Sequence, residues 1–173
     1  MNEIEIIEIK SEGLKDLQQI SIQTFEETFT EHNTAEDMQE YLKTSFSDAK
    51  LLSELNDKDS HFFLAKSKNR VIGYLKLNLG ASQTDLKDQN AIEIERIYVL
   101  KEFLGKKVGQ QLFEFAIHIA SEKKMQYIWL GVWEENHRAL RFYQKNGFEA
   151  FDKHFFKLGN DVQTDIMMKK KLN

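Results

Sequence analysis

The chain reads as an α/β domain with one mixed sheet and helices on its faces. Three observations predict this. Apolar residues alternate over short runs rich in Ile, Val, Phe and Tyr, as half-buried strands require. Between those runs they recur at helical spacing. The two kinds of segment follow a set order: a strand, helices, two strands, then β-α-β-α-β-β. A length of 173 residues suits a single domain, 1–173, with a sizeable buried core.

Taken in order, residues 3–9 (EIEIIEI) alternate as an edge or half-buried strand. Residues 12–30 turn helical, with Leu14, Leu17, Ile20, Phe25 and Phe29 on one stripe. Thr34-Ala35-Glu36-Asp37 has the spacing of a capping box, with Asp in the fourth place. It opens a helix through Met38, Tyr41 and Leu42, and a third short helix is expected near 47–56. Residues 61–67 and 71–79 read as strands joined in hairpin fashion at Lys68-Asn69-Arg70. Residues 80–90 (GASQTDLKDQN) are polar and turn-rich, a loop. In residues 91–99, Ile92, Ile94, Arg96 and Tyr98 are expected on one side and Glu93, Glu95, Ile97 and Val99 on the other. A helix follows, its stripe made of Val108, Leu112, Phe115, Ala116 and Ile119. Residues 127–133 form a strand, 136–145 a helix, and 148–157 and 162–170 the last two strands.

Composition excludes several classes of function. No apolar run approaches the roughly 18 residues of a membrane span, and the opening MNEIE is acidic where a secretory signal is basic. A cytoplasmic protein without a membrane partner is expected. Cysteine is absent, which removes disulfides, thiolate zinc sites and a cysteine nucleophile. The five histidines are scattered, so no metal is expected. A net charge of −4 conceals an uneven distribution: residues 1–60 hold 15 acidic and 5 basic side chains, residues 61–173 hold 13 and 19. Solvated helix faces account for most such charges. The sharper reading is an acidic half that attracts a cation and a basic half that holds a polyanion. With no helix-turn-helix or basic recognition helix, nucleic acid is not an expected partner.

The segment 91–120 is the centre of the chain. Its strand hands over through Gly105-Lys106-Lys107-Val108-Gly109 to a helix. The first N–H groups of such a helix, with the macrodipole behind them, form an anion site. Glycines let a pyrophosphate approach that backbone, although a ligand-free tight turn accounts for the same spacing. The segment is neither a P-loop nor a GxGxxG fingerprint. IERIYV followed by FLGKKVGQQLFEFA resembles the acetyl-CoA-binding core of the GNAT superfamily of N-acetyltransferases. That family's loop reads Gln/Arg-x-x-Gly-x-Gly. Here Leu104 stands at the Gln/Arg position, Lys107 replaces the first glycine and Gly109 holds the last. The resemblance implies a mostly antiparallel mixed sheet with helices on both faces. Its central strands would splay apart to admit a pantetheine arm.

A second stretch, NHRALRFYQKNGF at 136–148, matches the family's Asn-x-x-Ala-x-x-Phe-Tyr-x-x-x-Gly-Phe at every fixed position. The resemblance implies an enzyme that uses acetyl-CoA as donor and an amine as acceptor. The backbone of Ile97, Tyr98 and Val99 would pair with the pantetheine, with the Val99 N–H aimed at the acetyl oxygen. Leu104, Gly105, Lys106, Lys107, Val108 and Gly109 would cradle the pyrophosphate. Asn136, Ala139, Tyr143 and Lys145 would complete the coenzyme site. By the same match Tyr143 is the general acid, since a phenol of pKa near 10 can protonate a thiolate leaving group. Each has a plainer reading beside it: Asn136 as an N-cap, Tyr143 as a core aromatic, Lys145 as a solvated lysine. For the base, Glu93 and Glu95 share a face of the central strand, where a buried acid needs a partner or water. Glu93 lies six residues before Val99, where some family members carry a glutamate that acts through water. The residues alone leave the choice open.

Residues 24–46 (TFEETFTEHNTAEDMQEYLKTSF) are similar to the acceptor-side helices of the bacterial GNAT branch known as protease-synthase and sporulation regulators, which acetylate spermidine and spermine. The implied acceptor is a polyamine, drawn in by Glu26, Glu27, Glu31, Glu36 and Asp37, with Glu26, Glu27 and Glu31 as the expected binding residues. Alternatives are a protein N-terminus, a lysine or an aminoglycoside, or a non-catalytic CoA-binding regulatory module. A homodimer is left open.

Overall fold

The computed structural model describes residues 3–172. The elements are β1 (Ile4–Ile9), α1 (Leu14–Phe29), α2 (Ala35–Ser45), α3 (Asp48–Leu55), β2 (Ser60–Ser67), β3 (Arg70–Leu79), β4 (Ala91–Val99), α4 (Val108–Glu122), β5 (Tyr127–Trp133), α5 (His137–Lys145), β6 (Glu149–Leu158) and β7 (Asp161–Lys171). Seven strands form one sheet in the order β1-β2-β3-β4-β5-β7-β6. Every pairing is antiparallel except β4 with β5. Helices cover both faces, α1 packing on β3 and α4 on β4. Among the described residues no helix is long and apolar enough to cross a membrane.

Local chemistry accounts for where the helices begin. Thr34 accepts from the Asp37 N–H at 3.1 Å, Ser47 from Lys50 at 3.2 Å and Asn136 from Ala139 at 3.2 Å. Each cap satisfies an orphan donor and stabilises its helix by about 1 kcal/mol. The core joins α1, α3 and α4 to the sheet through fully buried Leu17, Leu51, Leu64, Leu75, Ile92 and Leu112. Element boundaries lie within a residue or two of those expected. The α4 stripe differs more: Phe113 and Ala120 are buried, whereas Phe115 and Ile119 are only half-buried. A helix lying flat on a sheet buries a wider face than one narrow seam.

The strict alternation expected along 91–99 does not hold. Lys76 pairs with Arg96 while Leu77 pairs with Ile94, which leaves Glu95 as an extra residue on β4. This β-bulge brings Glu95 and Arg96, expected on opposite faces, into one ionic network with Lys76 and Glu54. A bulge also bends the strand and increases its twist.

The turn between β4 and α4 needs two residues with positive φ. Gly105 sits at 79° at little cost, but the helix N-cap Lys107 adopts φ 64°, ψ 10°. A side chain in the left-handed region costs about 1–2 kcal/mol. Lys107→Gly removes that strain and adds some backbone freedom to the unfolded chain. The expected net effect is a gain of up to about 1 kcal/mol, read as a higher urea midpoint with an unchanged m-value. A lower midpoint would show that the lysine makes compensating contacts.

Candidate active site

β4 pairs with β5 only from Ala91–Tyr127 to Ile94–Leu130. Beyond that point β4 stays with β3 as far as Val99–Gly73, and β5 stays with β7 as far as Trp133–Asp165. The strands therefore part, and a cleft of about 1470 Å³ opens between them. Ile97, Tyr98 and Val99 line it. Among the described residues their backbone on the β5 side has no sheet partner, so it is free to pair with an extended ligand.

At one end the cleft reaches the start of α4. Leu104, Gly105, Lys107 and Gly109 line it, whereas Lys106 and the buried Val108 do not. Leu104, 41% exposed, offers no side-chain donor. The cations here are Lys101, Lys107, Arg138 and Lys145. The Arg138 guanidinium lies over the turn, 3.7 Å from where a Cβ on Gly105 would stand. Sequence reasoning passed over Arg138, although a basic residue two places after Asn136 was a readable signal. These groups fit a pyrophosphate on a pantetheine arm: open strand edges, a helix N-terminus and several cations.

From α5, Asn136, Ala139, Tyr143 and Lys145 all face the cleft. The Asn136 carbonyl caps the helix, which leaves its amide N–H groups for a ligand. Tyr143 is buried against Phe142 and Phe148, with ring centroids 5.4 and 5.5 Å away. Among the described residues its hydroxyl has no hydrogen-bond partner, and burial pushes its pKa well up. The core reading and the cleft reading thus describe the same side chain.

The two glutamates of β4 have different surroundings. Glu95 contacts Lys76 and lies 3.8 Å from Arg96, and both cations also pair with Glu54 at 3.3 Å. Burial works against its charge, but Arg96 and Lys76 more than offset this and hold its pKa down. Glu93 is 3% exposed and, among the described residues, has no cation partner. Its Oε1 accepts from Asn78 Nδ2 at 3.0 Å and from the Thr84 N–H at 2.8 Å, and its Oε2 accepts from the Thr84 hydroxyl at 2.5 Å. Burial raises its pKa despite these bonds. Asn78 and Thr84 carried no signal in the sequence.

The acidic residues expected to hold the acceptor are dispersed. Glu27 lines the cleft, yet it accepts from the Lys101 N–H at 2.7 Å. Glu26 and Glu31 are exposed and do not line it. The cleft's other carboxylates include Asp85, Glu135 and Asp165, beside Trp133 and the 81% exposed Phe155. His154 bridges Asp85 at 3.3 Å and Asp165 at 3.2 Å. Among the described residues no group of three His, Cys, Asp or Glu is placed to hold a metal.

Comparison with known proteins accords with this geometry. Residues 14–148 match the model of the acetyltransferase (GNAT) family. An uncharacterised N-acetyltransferase from the pepI 3′ region of Lactobacillus delbrueckii subsp. lactis is 40% identical over 172 residues, covering 99% of both chains. A spermidine N(1)-acetyltransferase of Thermoplasma acidophilum is 28% identical over 153 residues, covering 86% of this chain and 90% of that one. The crystal structure of PaiA N-acetyltransferase from T. acidophilum in complex with coenzyme A superposes with a TM-score of 0.80 at 26% identity, over 98% of this chain and 99% of that one. An open strand pair, a helix N-terminus beneath it and a family match over most of the sequence lead to one conclusion: this chain belongs to the GNAT family of acetyl-CoA-dependent N-acetyltransferases.

Proposed function

We propose that the protein transfers an acetyl group from acetyl-CoA to a primary amine of a polyamine, by direct attack in a ternary complex. The observation that carries this reading is the parting of β4 and β5, which sets Glu93 and Tyr143 in one cleft. Acetyl-CoA supplies the activated acetyl thioester. The backbone of Ile97, Tyr98 and Val99 orients the arm, and the α4 N-terminus with Arg138 and Lys145 receives the phosphates. Glu93 takes a proton from the acceptor ammonium through water. Its raised pKa brings it closer to the pH at which a base works best. Tyr143 gives its proton to the departing sulfur, and burial keeps the phenol protonated until then. Glu95, neutralised by Lys76 and Arg96, is the structural member of the pair.

Tyr143→Phe should lower kcat by about 10²- to 10⁴-fold with little change in CoA affinity, because the hydroxyl serves in the transition state. Glu93 must be charged to act and its pKa is raised. Therefore kcat/KM should fall as pH drops through a midpoint above the usual carboxylate range. Glu93→Gln should remove that limb. Glu95→Gln should instead cost about 2 kcal/mol of stability, less than a fully buried pair because Glu95 is one-fifth exposed. A Tyr143→Phe enzyme of normal kcat would return Tyr143 to a packing role.

The polyamine acceptor is supported by the carboxylates and aromatic rings of the cleft and by the likeness to a spermidine acetyltransferase. Acetyl-CoA-dependent thiol release should occur with spermidine or spermine and give intersecting initial-rate lines. A parallel pattern with an isolable acetyl-enzyme would defeat direct attack. KM for the polyamine should rise with ionic strength, since the Debye length is roughly 10 Å at 0.1 M. It should rise with Asp85→Asn and stay unchanged with Glu26→Gln or Glu31→Gln. Acetylation of a peptide or aminoglycoside but of no polyamine would overturn the acceptor assignment.

A further inference from the structure

The loop 80–90, polar and without assigned function in the sequence, carries two of the three donors that hold Glu93. The Thr84 hydroxyl reaches Oε2 at 2.5 Å and the Thr84 N–H reaches Oε1 at 2.8 Å. The third donor, Asn78 Nδ2, is shared between Glu93 Oε1 and Glu95 Oε2. Thr84 alone therefore binds both oxygens of Glu93.

The loop is built to keep Thr84 in place without using its side chain. Gln83, 1% exposed, is the loop's internal strut. Its amide donates to the Gly80 carbonyl at 3.2 Å and the Asp88 carbonyl at 2.8 Å, and its oxygen accepts from the buried Trp129 indole at 2.7 Å. Tyr127 donates to Asp88 at 2.8 Å and Ser82 to Asp57 at 2.7 Å. Two residues of β5 and one near β2 thus anchor a segment of little apolar content.

We infer that Thr84 is a positioning residue for the base: its hydroxyl fixes the Glu93 carboxylate and sets the pH at which Glu93 begins to accept protons. The inference rests on the reading of Glu93 as base. A donor to the charged carboxylate favours that form. Oε1 already takes two protein donors and Oε2 takes one, so Oε2 retains capacity for the water that relays the proton. Other charges bear on Glu93 too. Glu95 lies on the same strand, with Lys76 on β3 and Arg96 and Glu54 closing its network. Asp85 follows Thr84 and is bridged by His154 to Asp165 on β7. Removing the Thr84 hydroxyl leaves all of them in place.

The test is the pH profile of kcat/KM for wild type, Thr84→Val, Thr84→Ser and Glu93→Gln, with coenzyme A affinity measured on each. Thr84 is exposed and valine keeps its shape, so folding should survive, and unaltered coenzyme A affinity would verify it. With the donor lost, the folded Glu93 pKa rises and the acid limb should move up by about one pH unit. That is about a tenfold loss below the limb, with the plateau above it largely kept. Thr84→Ser should restore the wild-type limb. An unmoved limb in Thr84→Val, while Glu93→Gln abolishes it, would overturn the role of Thr84 and leave Glu93 as base. A wild-type limb retained in Glu93→Gln would overturn the base assignment itself, and this inference with it.

Discussion

The structure depends on β4 losing β5 after Ile94 while keeping β3 as far as Val99. An inner strand with one free edge is costly, because each backbone N–H and C=O facing the gap must find water or a ligand. The bulge at Glu95 supplies the bend at the residue where pairing ends. On the other strand Gly131 follows the last pair. A Cβ there would come within 3.3 Å of His154 and 3.5 Å of Asp165, so its absence lets these side chains lie close over β5. A sheet opened in this way offers an extended ligand the pairing that an eighth strand would otherwise take.

The same bulge sorts the charges. It brings Arg96 and Glu95 into one cluster with Lys76 and Glu54, and Lys50 joins it from the same helix as Glu54 at 3.9 Å. The Arg96 guanidinium also stacks 5.4 Å from the centre of the Phe46 ring. Within that cluster Glu95 has two cationic neighbours to offset its burial. Glu93, two residues earlier, has no ion pair of its own among the described residues and accepts from the neutral donors Asn78 and Thr84. Hence two carboxylates on one strand have pKa values displaced in opposite directions. Such divergence shows how far the surroundings, and not the residue type, set the proton affinity of a carboxylate.

Much of this was legible in the sequence, for identifiable reasons. Strands and helices show through periodicity, and Thr34 and Asn136 act as the caps their positions imply. The 136–148 motif lies on one helix, its caps and the turn that follows, where spacing maps directly onto geometry. Other features depend on distant partners. The bulge is defined by the register against β3, which no property of 91–99 encodes. Glu95 could not be told from Glu93 until Glu54 and Lys76 were in place beside it. The acidic run 26–31 showed charge but not direction. Glu27 turns into the cleft and binds the Lys101 backbone, while its neighbour Glu26 stays in solvent.

The degenerate phosphate turn follows from what its glycines do. A glycine at position 107 would supply φ near +60° and room for an anion. Lys107 reaches φ 64° regardless, so the direction of the following N–H groups is preserved and only strain is added, about 1–2 kcal/mol. The helix dipole itself favours an anion at this N-terminus and not the lysine, so any return on the strain has to come from a direct contact between the Lys107 ammonium and a bound phosphate. Leu104 forgoes a side-chain donor, but Arg138 lies over the same turn from α5. The turn keeps its two positive-φ positions and has positive charge above it although Leu104 and Lys107 depart from the motif.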